Sequence, residues 1–495
     1  MQSNDKVAAE TYRDGIKIDV SKYPNAKPQF SPRFGFNYKP FDDENGSLQI
    51  RGGTGLFTGT PPYVWISNQA GNNGVLFGDL NVRAVKDKND NIISDGRPSL
   101  GFTGNMDTYK PAEGSATRSD IAITDPDFKY PSLWKSNIAA DYKFGDGWVA
   151  TVELLYSKDI NAIYHDNIGL YRTEQFVNDG GAGNARPYYN GYYSDREGNQ
   201  KAANHVVMLR NTSKGHSLYT TFQLQKNFVD GILKGLYLNG SYSFGQSRGV
   251  TDGTSSVATS AWKYRAALDG NAEEVGYTAG SFDGRLLLSA SYTANWSKYA
   301  ATSFGLIYQR YRPFRYSYCY NGDANGDSQF SNDLMYIPAN FDEVKDHLLP
   351  GDFDSQEDAW KAMNAFIEQD PYLSKHRGEY AERNGAVAPF ANQLDLSVSH
   401  DIKIYQKNGR SHTLRFSFNI ANFLNLLNRN WGVVQTTVLG NQQYQFLTIP
   451  KGQGPSAANN YTLKYTMAKD LDETFKDNLN DVSRWQMQFG IKYIF

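Results

Sequence analysis

Asp323, Asn325 and Asp327 alternate in the stretch DANGDSQFSND, and Asp333 closes it. Hard oxygens at the first, third and fifth positions of a loop are what Ca²⁺ requires. The stretch departs from the ordinary calcium loop at two points. Ser328 stands where the turn wants glycine, and the closing carboxylate arrives one residue early, as Asp and not Glu. Asp323, Asn325, Asp327 and Asp333 are therefore a candidate Ca²⁺ set, with a solvated acidic turn as the alternative. A second stretch, GGTGLFTG from Gly52 to Gly59, resembles a phosphate cradle. A dinucleotide loop needs G-x-G-x-x-G between a strand and a helix. Here the spacing is G-x-G-x-x-x-G and Pro61-Pro62 follows, so no helix starts where the phosphate would need it. Glycines in such a strand ease bending or make room for a neighbour.

Other chemistry is thin. The seven histidines fall at neither H-x-x-x-H nor H-x-x-H spacing, and the single cysteine, Cys319, excludes a disulfide framework and a Cys-rich metal site. No G-x-S-x-G, no Ser-His-Asp pattern and no paired-carboxylate spacing occurs, so an enzyme is not expected. Aromatic residues outside the strands are the remaining candidates for ligand contact, above all Tyr63, Trp65, Tyr189, Trp262 and Trp360, with Tyr188, Tyr192 and Tyr193 beside them. Such rings stack on sugars or contact peptides, and equally often pack a loop. Trp360 sits in SQEDAWKAMNAFIEQ, where Ser355 and Asp358 make a near capping box and Ala359, Trp360, Met363, Phe366 and Ile367 form one stripe. That spacing predicts a short helix inside a large loop.

The elements that position these residues are strands. A net charge of −2 excludes a nucleic-acid footprint. No apolar run approaches the ~18 residues of a membrane helix. The N-terminal stretch MQSNDKVAAETYRDG has no signal-peptide h-region. Mean hydropathy is −0.59, which does not argue against a membrane barrel, because only alternate residues of its strands meet lipid. Period-two alternation recurs in eleven segments, from PRFGFNYK near residue 33 to RWQMQFGIKYIF at 484–495. In the last of these Trp485, Met487, Phe489, Ile491, Tyr493 and Phe495 share one face. Connections alternate between short (about 40–46, 144–146, 229–233, 296–299 and 405–411) and long (about 59–133, 159–214, 246–283, 313–391 and 425–483). Compact soluble domains rarely hold loops beyond ~15 residues, whereas outer-membrane barrels have short periplasmic turns and long outer loops. The fold expected is all-β, a transmembrane antiparallel β-barrel with long extracellular loops. An odd number of strands beginning on the outer side does not close by itself. Residues 1–30 are expected to end an outer loop, and 31–495 to be the C-terminal part of a larger barrel. A soluble β-sandwich is the alternative that alternation alone leaves open.

Several segments resemble TonB-dependent outer-membrane receptors, with closest likeness to the Oar-like branch of Bacteroidota type, which carries an N-terminal carboxypeptidase-regulatory-like domain. They are FSPRFGFNYKP with LQIRGGTGLFTGTPPYVWISNQAGNNGV, then YNGDANGDSQFSNDLMYIP, PFANQLDLSVSHDI, FSFNIANFLNLLNRNWG and the terminal strand. The likeness spans residues 30 to 495. It implies a barrel of about 22 strands, of which these eleven would be the C-terminal half. It also implies import of a peptide, glycan or metal chelate, powered by the TonB complex through a plug domain. The signal peptide, TonB box, plug and early strands of such receptors have no counterpart in this sequence. The resemblance further implies that Trp485, Phe489, Tyr493 and Phe495 carry the signal read by the barrel-assembly machinery. A surface lipoprotein lid is a further partner the resemblance suggests. A passive porin-like channel and a surface-binding, adhesin-like outer-membrane protein are the rival functions.

Overall fold

Hairpins of alternating residues build the main sheet. In the computed structural model, residues 3–75, 85–86, 92–93, 105, 119–177, 179, 186–405, 411–439, 443–455 and 464–495 are described. Eleven long strands follow one another in the sheet in chain order: β1 Arg33–Asp43, β2 Gly46–Thr58, β3 Ser132–Phe144, β4 Trp148–Asp159, β5 Gly215–Asn227, β6 Leu236–Gly249, β7 Arg285–Ser297, β8 Ala300–Tyr311, β9 Ala391–Tyr405, β10 Ser411–Ala421 and β11 Gln486–Ile494. A two-residue strand, Gly276–Tyr277, adds to β6 to make twelve. Every neighbouring pair along the path is antiparallel. All eleven alternating segments of the sequence are strands here. β1 and β11 form the two ends of the path.

The register joins the apolar sets across strands. Phe222 stands opposite Val152 on one side and Tyr242 on the other; Phe304 opposes Tyr292 and Val398; Phe418 opposes Phe489. Many of these side chains are exposed, including Ile138, Phe222, Leu288, Leu306 and Ile491. A continuous apolar face of this extent is unsuited to water and matches hydrocarbon. Gly52 belongs to this face. A Cβ there would stand 2.8 Å from the Phe36 ring, so this glycine makes room for the ring on the adjacent strand. Near the short turns the apolar face ends in aromatic rings: Phe41 against Tyr142 at 6.3 Å, Tyr142 on Phe144 at 5.3 Å, Phe144 on Trp148 at 6.3 Å, and Tyr493 on Phe495 at 5.9 Å. Amphipathic rings favour this depth of a bilayer.

The opposite face is wet chemistry in ladders. Arg51 Nε donates to Asp141 at 2.8 Å and Thr151 donates to the same carboxylate at 2.7 Å. Arg415 grips Asp401 in two bonds of 2.6 and 2.8 Å. Gln223–Asn239, Gln309–Gln393 and Ser397–Asn419 continue the pattern.

The long connections gather at one end of the sheet and fold into a cap with a core of its own. One cluster joins Tyr316, Tyr318 and Met335 to Met363 and Phe366 of the helix Gln356–Gln369, and to Tyr444, Phe446 and Tyr465. The expected helix is present, and Ser355 Oγ accepts from the Asp358 N–H at 3.1 Å as its cap. A second cluster takes Val7, Tyr12, Ile18 and Val20 from the first residues and packs them on Ile121, Ile123, Val206 and Met208. Beneath them Ser119–Thr124, Ala203–Thr212 and Ala162–Asn167 form a three-stranded sheet that sequence alternation does not reveal. Residues 406–410, within the short connection expected at about 405–411, lie outside the described residues.

Candidate functional site

The cap is where the candidate residues meet. The segment 323–333 curls on itself because its carboxylates capture backbone N–H groups. Asp323 accepts from Gly326 at 2.6 Å, Ser328 at 2.8 Å and Asn325 at 3.2 Å. Asp327 accepts from Gln329 at 2.8 Å, and Asp333 from Ala324 at 2.7 Å. The four candidate calcium residues thus share one loop, and the side chains of Asn325, Asp327 and Asp333 are buried. Burial lifts the carboxyls of Asp323, Asp327 and Asp333 above the usual range, and repulsion from neighbouring carboxylates adds to it at Asp327; Asp333 is pushed up to about 7 although Arg186 draws it down. Among the described residues no group of three or more His, Cys, Asp or Glu is spaced to hold a metal ion. The backbone donors occupy much of the oxygen surface a cation would need.

Arg186 anchors this loop to the rest of the cap. It is fully buried, donates through Nε to Asp179 at 3.0 Å, and meets Asp333 at 3.4 Å and the Leu334 carbonyl. Its guanidinium lies over Tyr320 and Tyr380 at 5.4 and 5.5 Å. Burial opposes its charge, and the two carboxylates more than offset that.

The five aromatic candidates divide. Tyr63 is 66% exposed and lines a largely apolar cavity of about 510 Å³ with Tyr23, Ile66 and Tyr130. Trp65 is half-buried, donates to the Ser255 carbonyl at 2.8 Å and meets His165 edge-on at 6.3 Å. Trp360 is half-buried against Phe341. Tyr189 and Trp262 lie inside the cap. The Tyr189 hydroxyl donates to Asp269 at 2.6 Å, and Trp262 Nε1 donates to Asn271 at 2.9 Å beside the His205 ring. These two rings build the core and present no face to solvent. Trp485, Phe489, Tyr493 and Phe495 are all exposed on the outer face or just beyond β11.

Sequence reading passed over two arginines. Arg265 and Arg383 are buried and line a polar cavity of about 430 Å³ with Asp252, Tyr264, Asn384 and Gln445. The residues come from three loops, so no local spacing marks them.

Solved structures with some likeness include the ferric enterobactin receptor PfeA of Pseudomonas aeruginosa in two mutant forms. These share 9% and 8% identity at TM-scores of 0.37 and 0.38, covering 83% and 94% of this chain and 36% and 40% of theirs. The FrpB iron transporter of Neisseria meningitidis, F3-3 variant, gives 8% identity and a TM-score of 0.28, covering 79% of this chain and 39% of its own. The chain spans about two fifths of the length of these proteins. No curated protein sequence is similar at a significant level. Residues 11–460 match the family described as outer membrane beta barrel domain. The antiparallel sheet, its apolar outer face and that match together place the protein in the outer membrane, and the chain belongs to the outer membrane beta barrel domain family.

Proposed function

We propose that this chain is the C-terminal barrel portion of a TonB-dependent receptor of the Oar-like branch. It takes up an external nutrient, a peptide, glycan or metal chelate, through a lumen walled by the polar face of the sheet. The observation that carries this reading is the cap: the described parts of the long connections fold over one end of a membrane sheet and build cavities there. A passive pore needs an open mouth, not a folded one. In this reading the long loops face outward, the short turns and Phe495 face the periplasm, and strands outside this chain complete the barrel against β1 and β11. The plug of the complete protein would receive the force of the TonB complex. The test is uptake by the complete receptor in cells with and without the energising complex. Loss of uptake without the complex supports the reading; equal uptake makes the protein a porin-like channel, and binding with no uptake makes it an adhesin-like protein.

Ca²⁺ at 323–333 belongs to this reading as a structural ion of the cap. Asp323, Asn325, Asp327 and Asp333 are hard-oxygen donors of the type Ca²⁺ takes, and the ion would have to draw them away from the backbone N–H groups that now hold them. Chelator-treated protein titrated with Ca²⁺ should gain thermal stability, and an N325A/D327N variant should gain none. No gain in the unsubstituted protein leaves the loop a self-bonded acidic turn.

A further inference from the structure

The cavity beside Arg265 and Arg383 has an unbalanced charge. Several other arginines of the cap have carboxylate partners: Arg186 has Asp179, Arg248 has Glu382 and Arg315 has Asp283. Arg265 and Arg383 are 6% and 4% exposed, and their hydrogen bonds among the described residues go to backbone carbonyls. Arg265 donates to Val250 at 3.2 Å, to Ala272 at 3.0 Å and to Gly270. Arg383 donates to Val250, Gly249 and, at 3.4 Å, Gly276. The two guanidiniums therefore share one carbonyl, that of Val250. The Nε of each has no hydrogen-bond partner among the described residues. Like charges held this close and dehydrated are costly unless an anion meets them.

The carboxylates nearby are committed elsewhere. Asp252 accepts from the Ala279 N–H at 2.8 Å and from Asn384 at 3.1 Å. Glu274 accepts from the Leu268 N–H at 2.9 Å, and Asp269 takes Tyr189 and Arg172. Burial and the neighbouring Arg265 bring the Arg383 guanidinium down to about 10, with Asp252 and Glu274 acting the other way. Gly276 is part of the arrangement, because a Cβ there would stand 2.8 Å from Arg383 Cβ. The remaining lining groups are hydroxyls, amides and three alanines from several loops, with Thr254 exposed.

We propose that this cavity binds a small oxyanion, a carboxylate or a phosphate group, between Arg265 and Arg383. Planar guanidinium N–H groups suit such oxygens. The site gives the ligand class of the proposed receptor and rests on that reading for its biological use, but its binding is independent of transport. The test uses the full chain folded in detergent, titrated with inorganic phosphate and, separately, with succinate, following thermal stability and heat of binding. Sodium chloride at equal ionic strength controls for screening. Saturable binding of either probe is expected, and whichever binds more tightly tells phosphate from carboxylate. T254E puts a negative charge in the lining without touching a described hydrogen bond; R383Q removes one cation and risks the loop fold. At least tenfold weaker binding in T254E supports the site, and a folded R383Q should show the same. No saturable binding by the folded parent chain, or unchanged affinity in T254E, overturns it. Uptake that fails while phosphate or succinate still binds counts against transport and not against this site.

Discussion

At the scale of single residues the cap is governed by burial of charge. His165 sits in the small three-stranded sheet, 4% exposed, with Trp65 edge-on and Nε2 without a hydrogen-bond partner among the described residues. Burial first, and the Arg265 charge second, bring its imidazole down to about 4. The folded cap thus favours the neutral ring, while the unfolded chain takes up a proton near pH 6.5. Stability from this group is present above about 6.5 and is lost as pH falls towards 4, by about 3 kcal/mol at most. Thermal unfolding of the cap between pH 7.5 and 4.5 should show that loss, and H165N should flatten it over the same window. An unchanged slope in H165N would assign the acid sensitivity elsewhere. Cys319, also wholly buried, has its thiol pushed up by burial and is a poor target for oxidants.

At the scale of elements, lipid decides which substitutions a strand accepts. Phe222 lies mid-strand in β5 on the apolar face, and Gln223 beside it faces Asn239 on the wet one. F222R should cost about 2–4 kcal/mol if it sits at the bilayer midplane. Q223R should be nearly neutral. Outer-membrane yield and resistance of the folded band to heating separate the two; a lower yield for Q223R than for F222R would mean that the faces are assigned backwards, and equal yields would mean that Phe222 does not face lipid. Removing Phe495, which is 91% exposed beyond β11, should lower insertion of the complete protein if the terminal aromatic strand is the assembly signal; normal surface levels refute that. These elements were legible in the sequence because a strand between lipid and water has to alternate, and each of the eleven does. The cap was not legible. Its core draws on residues such as Val7, Tyr189, Trp262 and Tyr444, which follow no period and meet only through tertiary contact. Aromatic residues in long loops look like ligand contacts until their burial is known, and Tyr189 and Trp262 are walls. Only the helix Gln356–Gln369, with its own cap and stripe, could be read locally. The arginine pair had no signal at all, since residues 265 and 383 become neighbours only after three loops close on them.

At the scale of the molecule, a continuous sheet carries an independent second core. β1 and β11 leave both margins of the sheet without strand partners among the described residues, and unpaired backbone in hydrocarbon is costly. Strand completion should therefore matter more to stability than any single contact in the cap. The cap in turn depends on the sheet, because its clusters unite loops that only the strands bring together: Tyr12 meets Ile168 and Met208, and Tyr318 meets Tyr444. A kinetic experiment follows. During refolding into detergent or bilayer, resistance of the sheet to heating should precede protection of the cap from protease; simultaneous acquisition would show the two to be one cooperative unit. The gathering of the long connections at one end thus fixes a chronology. If the cap is the recognition surface of the proposed receptor, it should be the last part to form, finished only after every strand has delivered its loop to that end. On the proposed function, a chain arrested one hairpin short would sit in the membrane blind, unable to bind anything its siblings bind.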